Sequence, residues 1–130
     1  MSESFDHDFE IKEYKVRIYH VDNVKKFQQH YQTNNDNLNI LFFTADWCGP
    51  CQRIKPTVKE AILNIQKFNL QQFINVFYVT IDNCLSVSEH FKISTLPTII
   101  IEQNQIHLHR LFSNDICKLQ HIVKDITHKK

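Results

Sequence analysis

The sequence predicts an α/β domain, a mixed central β-sheet flanked by helices on both faces. Three observations carry that expectation. Strand-like and helix-like stretches alternate in the order β-α-β-α-β-α-β-β-α, which a layered sheet with helices on both sides accommodates. Leu38 to Thr44 is an apolar run without alternation, as a strand covered on both faces requires. Cys48-Gly49-Pro50-Cys51 then falls where that strand gives way to a helix, the setting in which Cys-x-x-Cys does redox chemistry.

Taken in order, residues 1–14 read as a polar N-terminal extension, a mobile tail or an arm laid on a partner. The domain then occupies residues 15–130. Tyr14 to Val21 alternates well enough for a strand. Asp22 or Asn23 can cap a helix whose apolar positions are Val24, Phe27 and Tyr31. Asn34 to Asn37 is a loop, and Leu38–Thr44 follows as the central strand.

A long helix is expected from Pro50 to Phe68, with Ile54, Val58, Ile62, Ile65 and Phe68 on its buried face. Pro56 interrupts its hydrogen bonding. Asn75 to Ile81 is a second central strand, and Asp82-Asn83 can open a short helix through His90. Thr98–Glu102 and Gln105–Leu111 form a hairpin around Gln103-Asn104. Ser113 or Asn114 caps a last helix with Ile116, Leu119, Val123 and Ile126 inward, and Lys129 and Lys130 suit its C-terminal dipole.

Composition limits the function. The 130 residues suffice for one domain with a single core, to which ten Phe contribute. A net charge of +1, from 15 basic and 14 acidic side chains, offers no basic stripe for nucleic acid. No apolar run approaches membrane-spanning length. The acidic start, Met1 to Asp8, lacks the apolar segment of a signal peptide. Four cysteines, of which only two have motif spacing, fit a reducing compartment, and the expected location is cytoplasmic. Gly49 is the only glycine, where average usage gives about nine. Its retention between the cysteines suggests that the turn needs it.

The chemistry of the motif is local. The first N–H groups of a helix lack partners within it, and that end carries partial positive charge. A thiolate there is stabilised, so the Cys48 pKa is expected below that of a free thiol. Cys51, one turn further in, is near enough to close a disulfide and better covered. One sulfur is offered to solvent and the other held in reserve. Cys48 is then the nucleophile toward a substrate disulfide, and Cys51 resolves the mixed disulfide. The alternative is an inert relic of the motif.

Trp47-Cys48-Gly49-Pro50-Cys51, with Pro56 five residues on, resembles the active site of thioredoxins. Leu96-Pro97-Thr98, ahead of Ile99-Ile100-Ile101, resembles that family's cis-proline loop. The resemblance covers roughly residues 16 to 127. It implies the thioredoxin fold, reduction of protein disulfides, recycling by a thioredoxin reductase, and no cofactor beyond the Cys48–Cys51 disulfide. It also implies a docking surface of Trp47, Gly49, Pro50, Leu96 and Pro97 around the dithiol.

The chain departs from the family at several points. Phe42 stands where thioredoxins carry a buried aspartate, and Tyr78 where bacterial members often have a lysine. Cys51 therefore lacks the usual proton acceptor, and slower resolution is expected. Gln105 and Ser113 replace glycines. These departures, with the extension, favour an alternative: a thioredoxin-fold subunit of a larger protein complex, such as a light chain of ciliary outer-arm dynein. There the dithiol would be secondary and the location the axoneme. Cys84 and Cys117 read as inert thiols. Asp46 reads as a solvated loop residue. His107 and His109 share a strand face but find no further ligands, so no metal is expected.

Overall fold

The computed structural model describes residues 15–31 and 36–128. The extension 1–14, the loop residues Asn34 and Asn35, and Lys129 and Lys130 lie outside the described residues.

The strands are β1 (Val16–Val21), β2 (Leu38–Thr44), β3 (Ile74–Thr80), β4 (Thr98–Gln103) and β5 (Ile106–Phe112). The helices are α1 (Val24–His30), α2 (Gly49–Ile65), α3 (Leu85–His90) and α4 (Leu119–Thr127). The sheet order is β1-β3-β2-β4-β5. The β1–β3 and β2–β3 pairs are parallel, whereas β4 runs antiparallel to β2 and β5. The sheet is therefore mixed, as expected. β2 at its centre is buried along its whole length, which is why its sequence shows no alternation.

Each face has its own core. Ile40, Phe42, Val76, Ile99 and Ile101 point toward Val58, Ile62 and Ile65 of α2 and Leu119 and Val123 of α4. Leu41, Phe43, Phe77, Val79 and Ile100 point the other way, toward Phe27 of α1, Val87 of α3 and Phe91 just after it. The period of two along β2 thus divides one apolar run between two layers.

Element ends differ from the sequence reading for identifiable reasons. Asn23, one of the two candidate caps, accepts from the Lys26 N–H at 2.9 Å. α2 stops at Ile65, because Lys67 and Phe68 turn back in tight bonds to the Asn64 and Ile65 carbonyls, each 3.0 Å. Asp82-Asn83 belong to a 3₁₀ turn (Ile81–Asn83), and α3 begins only at Leu85. The hairpin turns at Asn104-Gln105, one residue later than expected. Both residues take left-handed backbone, with φ of 52° and 67°, as a two-residue hairpin loop demands.

The helix expected from Ser113 is a 3₁₀ segment, Ser113–Lys118, with no side-chain cap, followed by α4. Three residues per turn bring Ile116 and Leu119 onto one side, and both are buried. The first step of this apolar spacing is 3₁₀ rather than α.

α3 ends in a Schellman motif. Ile93 N–H reaches the Ser88 carbonyl at 2.9 Å and Lys92 N–H the Glu89 carbonyl at 3.0 Å. Lys92 occupies the left-handed position usually given to glycine, with φ 56°. Arg110 then donates to the carbonyls of Phe91 (2.7 Å) and Lys92 (3.2 Å), tying this corner to β5.

Candidate functional site: the Cys48–Cys51 disulfide and its grooves

β2 ends at Thr44 and delivers the chain to α2 across only four residues, 45–48. Cys48 is the N-cap of α2, with extended backbone (φ −88°, ψ 106°), and its Sγ accepts the Cys51 N–H at 3.1 Å. One of the unpaired donors at the helix start is thus spent on the sulfur, the arrangement that favours a thiolate. Cys48 and Cys51 are joined as a disulfide, with Cα atoms 5.3 Å apart. Pro50 sits in the first turn, where a missing N–H costs nothing.

Cys51 is fully buried, as expected of the reserved sulfur. Cys48 is only 5% exposed, less open than the sequence reading held. Its sulfur is bonded to a buried partner, and Ala45, Ile81 and Leu96 pack around the pair. Cys48 nevertheless lines a shallow groove of about 450 Å³ with Trp47, Gly49, Pro50 and Leu96. Ile81, Ile93, Ser94 and Thr95 complete that groove, and sequence reasoning missed them. Ile93-Ser94-Thr95 could have been flagged by their adjacency to the Leu96-Pro97 landmark.

The Leu96–Pro97 bond is cis, as the loop's resemblance implied. Pro97 is buried and borders a second groove of about 370 Å³, shared with Leu96, Phe112, Ser113 and Asn114. Trp47 is 69% exposed. Its indole N–H donates to Asp82, a partner that the sequence reading had assigned to a helix start. Asp46 is exposed.

Gly49 is a correction. It opens α2 without a left-handed φ, and a Cβ there would meet only the end of the Arg53 side chain, at 3.3 Å. The backbone does not demand glycine.

In the core between the sheet and α2, Phe42 is fully buried and meets Tyr78 edge-on, with ring centroids 5.6 Å apart. The two residues are register partners in β2 and β3. The position of the family's acid is thus apolar. Burial pushes the Tyr78 hydroxyl up, so it stays protonated at neutral pH. Cys84 is buried and its thiol is pushed up, by burial first and by Asp22 second; Cys117 is exposed. His107 and His109 are exposed on β5. Among the described residues no cluster of three or more His, Cys, Asp or Glu is placed to hold a metal.

A Cys48–Cys51 disulfide at a strand-to-helix turn, in a molecule with a cis-proline loop, is the arrangement of a thiol–disulfide redox protein. The comparisons specify which kind. The family described as Thioredoxin matches residues 12–127. A thioredoxin of Ictalurus punctatus is 31% identical over 87 residues, 67% of this chain and 78% of the relative. The crystal structure of thioredoxin from Trypanosoma brucei brucei superposes with a TM-score of 0.69 at 24% identity, over 85% of this chain and 90% of that one. The Plasmodium falciparum thioredoxin structure gives 0.65 at 25% identity, over 84% and 97%. The chain belongs to the thioredoxin family, and it is a thiol–disulfide oxidoreductase with protein-disulfide reductase activity.

Proposed function

We propose that the chain reduces disulfides of other proteins through Cys48 as nucleophile and Cys51 as resolving thiol. The observation that carries this reading is the pairing of a groove-lining Cys48 at a helix N-cap with a fully buried Cys51 behind it. Cys48 thiolate attacks one sulfur of the substrate disulfide, forms a mixed disulfide and expels a substrate thiolate. Cys51, once deprotonated, attacks Cys48 Sγ and expels the second substrate thiolate. The enzyme's dithiol is oxidised by two electrons, and the substrate takes up two electrons and two protons. A thioredoxin reductase returns the electrons, and no cofactor beyond the dithiol is used. Trp47, Gly49, Pro50, Leu96 and Pro97 dock the substrate chain.

A reducing, cytoplasmic setting suits this direction of electron flow. The reading as a docked dynein subunit is not favoured, because the relatives matched are thioredoxins.

The test is Cys51→Ser offered a protein disulfide substrate. A Cys48-linked adduct that accumulates and is released by dithiothreitol supports the assignment. No adduct, or an equal one with Cys48→Ser, removes Cys48 as the nucleophile.

A further inference from the structure

A substantial cavity lies away from the disulfide. It is a groove of about 630 Å³ between α2 and the β1 side of the sheet. Its helix wall is Gln52, Lys55, Pro56 and Lys59. Its sheet wall includes Ile18 and His20 of β1, Thr44 of β2 and Tyr78 of β3. α2 packs with α4 over the middle strands, and no described helix covers this part of the β1 face.

Two independent features distinguish this groove from bare surface. Thr44 is 3% exposed, and its Oγ1 has no hydrogen-bond partner among the described residues. An orphaned buried hydroxyl is uncommon and costs free energy until something bonds it. The charges are also one-sided. Lys55 and Lys59, one turn apart on α2, have no ion-pair partner among the described residues. Asp22, the only acid on the rim among the described residues, is engaged by Lys26 at 3.4 Å. Besides Gln52 and Thr80, the remaining wall is apolar and aromatic: Ile18, Val21, Pro56, and a His20–Tyr78 stack with centroids 5.1 Å apart.

We propose that this groove binds a small aromatic anion. Its ring lies against Ile18, Pro56 and Tyr78. Its carboxylate or phosphate is held by Lys55 and Lys59, and its polar edge satisfies Thr44 Oγ1. Two unpaired lysines supply the anion selectivity, and the apolar wall supplies the preference for a ring. The site is separate from the dithiol and does not depend on the reductase reading.

Two probes distinguish the headgroups: AMP for a phosphate and naphthalene-2-carboxylate for a carboxylate. Each is titrated at millimolar concentrations into the full oxidised chain, followed by amide chemical shifts. Saturable shifts centred on Thr44, Gln52, Lys59 and Tyr78 are expected with at least one probe. Lys55→Ala/Lys59→Ala should weaken it roughly tenfold or more, and Thr44→Val severalfold. Insulin reduction by the lysine variant should stay at the parental rate, showing that the domain is intact. If neither probe saturates, or the lysine variant binds equally well, the site does not exist. Loss on removing the lysines without loss on Thr44→Val marks diffuse surface charge and equally overturns it.

Discussion

The indole N–H of Trp47 donates to both carboxylate oxygens of Asp82, at 2.9 and 3.0 Å. The two residues are separated by 35 positions, and the bond spans the gap between the β2–α2 turn and the 3₁₀ turn after β3. A largely exposed Trp would otherwise sample several rotamers; two bonds to one carboxylate hold it at the edge of the groove beside Cys48. Asp82→Ala should shift Trp47 fluorescence to longer wavelength and increase its quenching by acrylamide. KM for a protein disulfide should rise severalfold with kcat less affected. Asp82→Asn keeps one acceptor oxygen and should restore part of both signals. An unchanged KM in Asp82→Ala would remove the bond from substrate binding.

Placing an acid at position 42 tests the role of the buried phenylalanine there. Phe42→Asp puts a carboxyl into a fully buried site, at a cost of about 3–5 kcal/mol from the lost ring and the buried polar group. Burial raises the carboxyl's folded pKa above its unfolded value of about 3.9. Such a group weakens the fold as pH rises from the unfolded pKa to the folded one. The loss should therefore be smaller near pH 4 than at pH 7, read from urea midpoints. If enough folded protein remains, release of the mixed disulfide by Cys51 should quicken at neutral pH.

Alkaline stability follows from three groups shifted the same way. Cys84 is raised above its ordinary 9.0, mainly by burial. Tyr78 is raised above 10.0 by burial, and Tyr31 still more, by burial and then by its bond to the buried Glu102. Each holds its proton longer folded than unfolded. Stability is therefore full below the unfolded pKa values and falls as pH climbs past about 9. Urea midpoints measured from pH 7 to 11 should decline, and Cys84→Ala should lessen the first part of that decline.

Thiol labelling should separate the remaining cysteines. In the native oxidised protein, iodoacetamide near pH 8 should add one group, at exposed Cys117. Cys84 should label only on unfolding, since it is fully buried and its thiolate is disfavoured. Intact mass with peptide mapping reads both outcomes.

Lys92 offers a stabilising substitution. The Schellman motif at the end of α3 places it at φ 56°, where a side chain costs about 1–2 kcal/mol. Lys92→Gly removes that strain and adds some unfolded-state entropy, for a net gain of about 0.5–1 kcal/mol. Gly49→Ala, in contrast, should leave stability within about 0.5 kcal/mol, because no left-handed φ is at stake there. Both are read as shifts in the urea midpoint.

Local residue patterns carried the layers and the Cys48–Cys51 pair. The bounds of β2, Leu38–Thr44, were legible because burial on both faces removes alternation. Cys48 and Cys51 were legible because sulfur spacing at a helix start is a local property, as was the Leu96-Pro97 loop from its residues. Local rules also misled. Gly49 seemed required by its scarcity, yet its backbone tolerates a side chain, while the glycine-like position went to Lys92. Only the tertiary structure could decide what meets across chain distance. It joined Trp47 to Asp82, set Phe42 against Tyr78, and closed the groove beside Cys48 with Ile81 and Ile93. It also set Thr44, whose Oγ1 has no partner among the described residues, in one groove with Lys55 and Lys59 of the next helix. These relationships depend on strand register and on where α2 crosses the sheet, and neither is written in the spacing of any one segment.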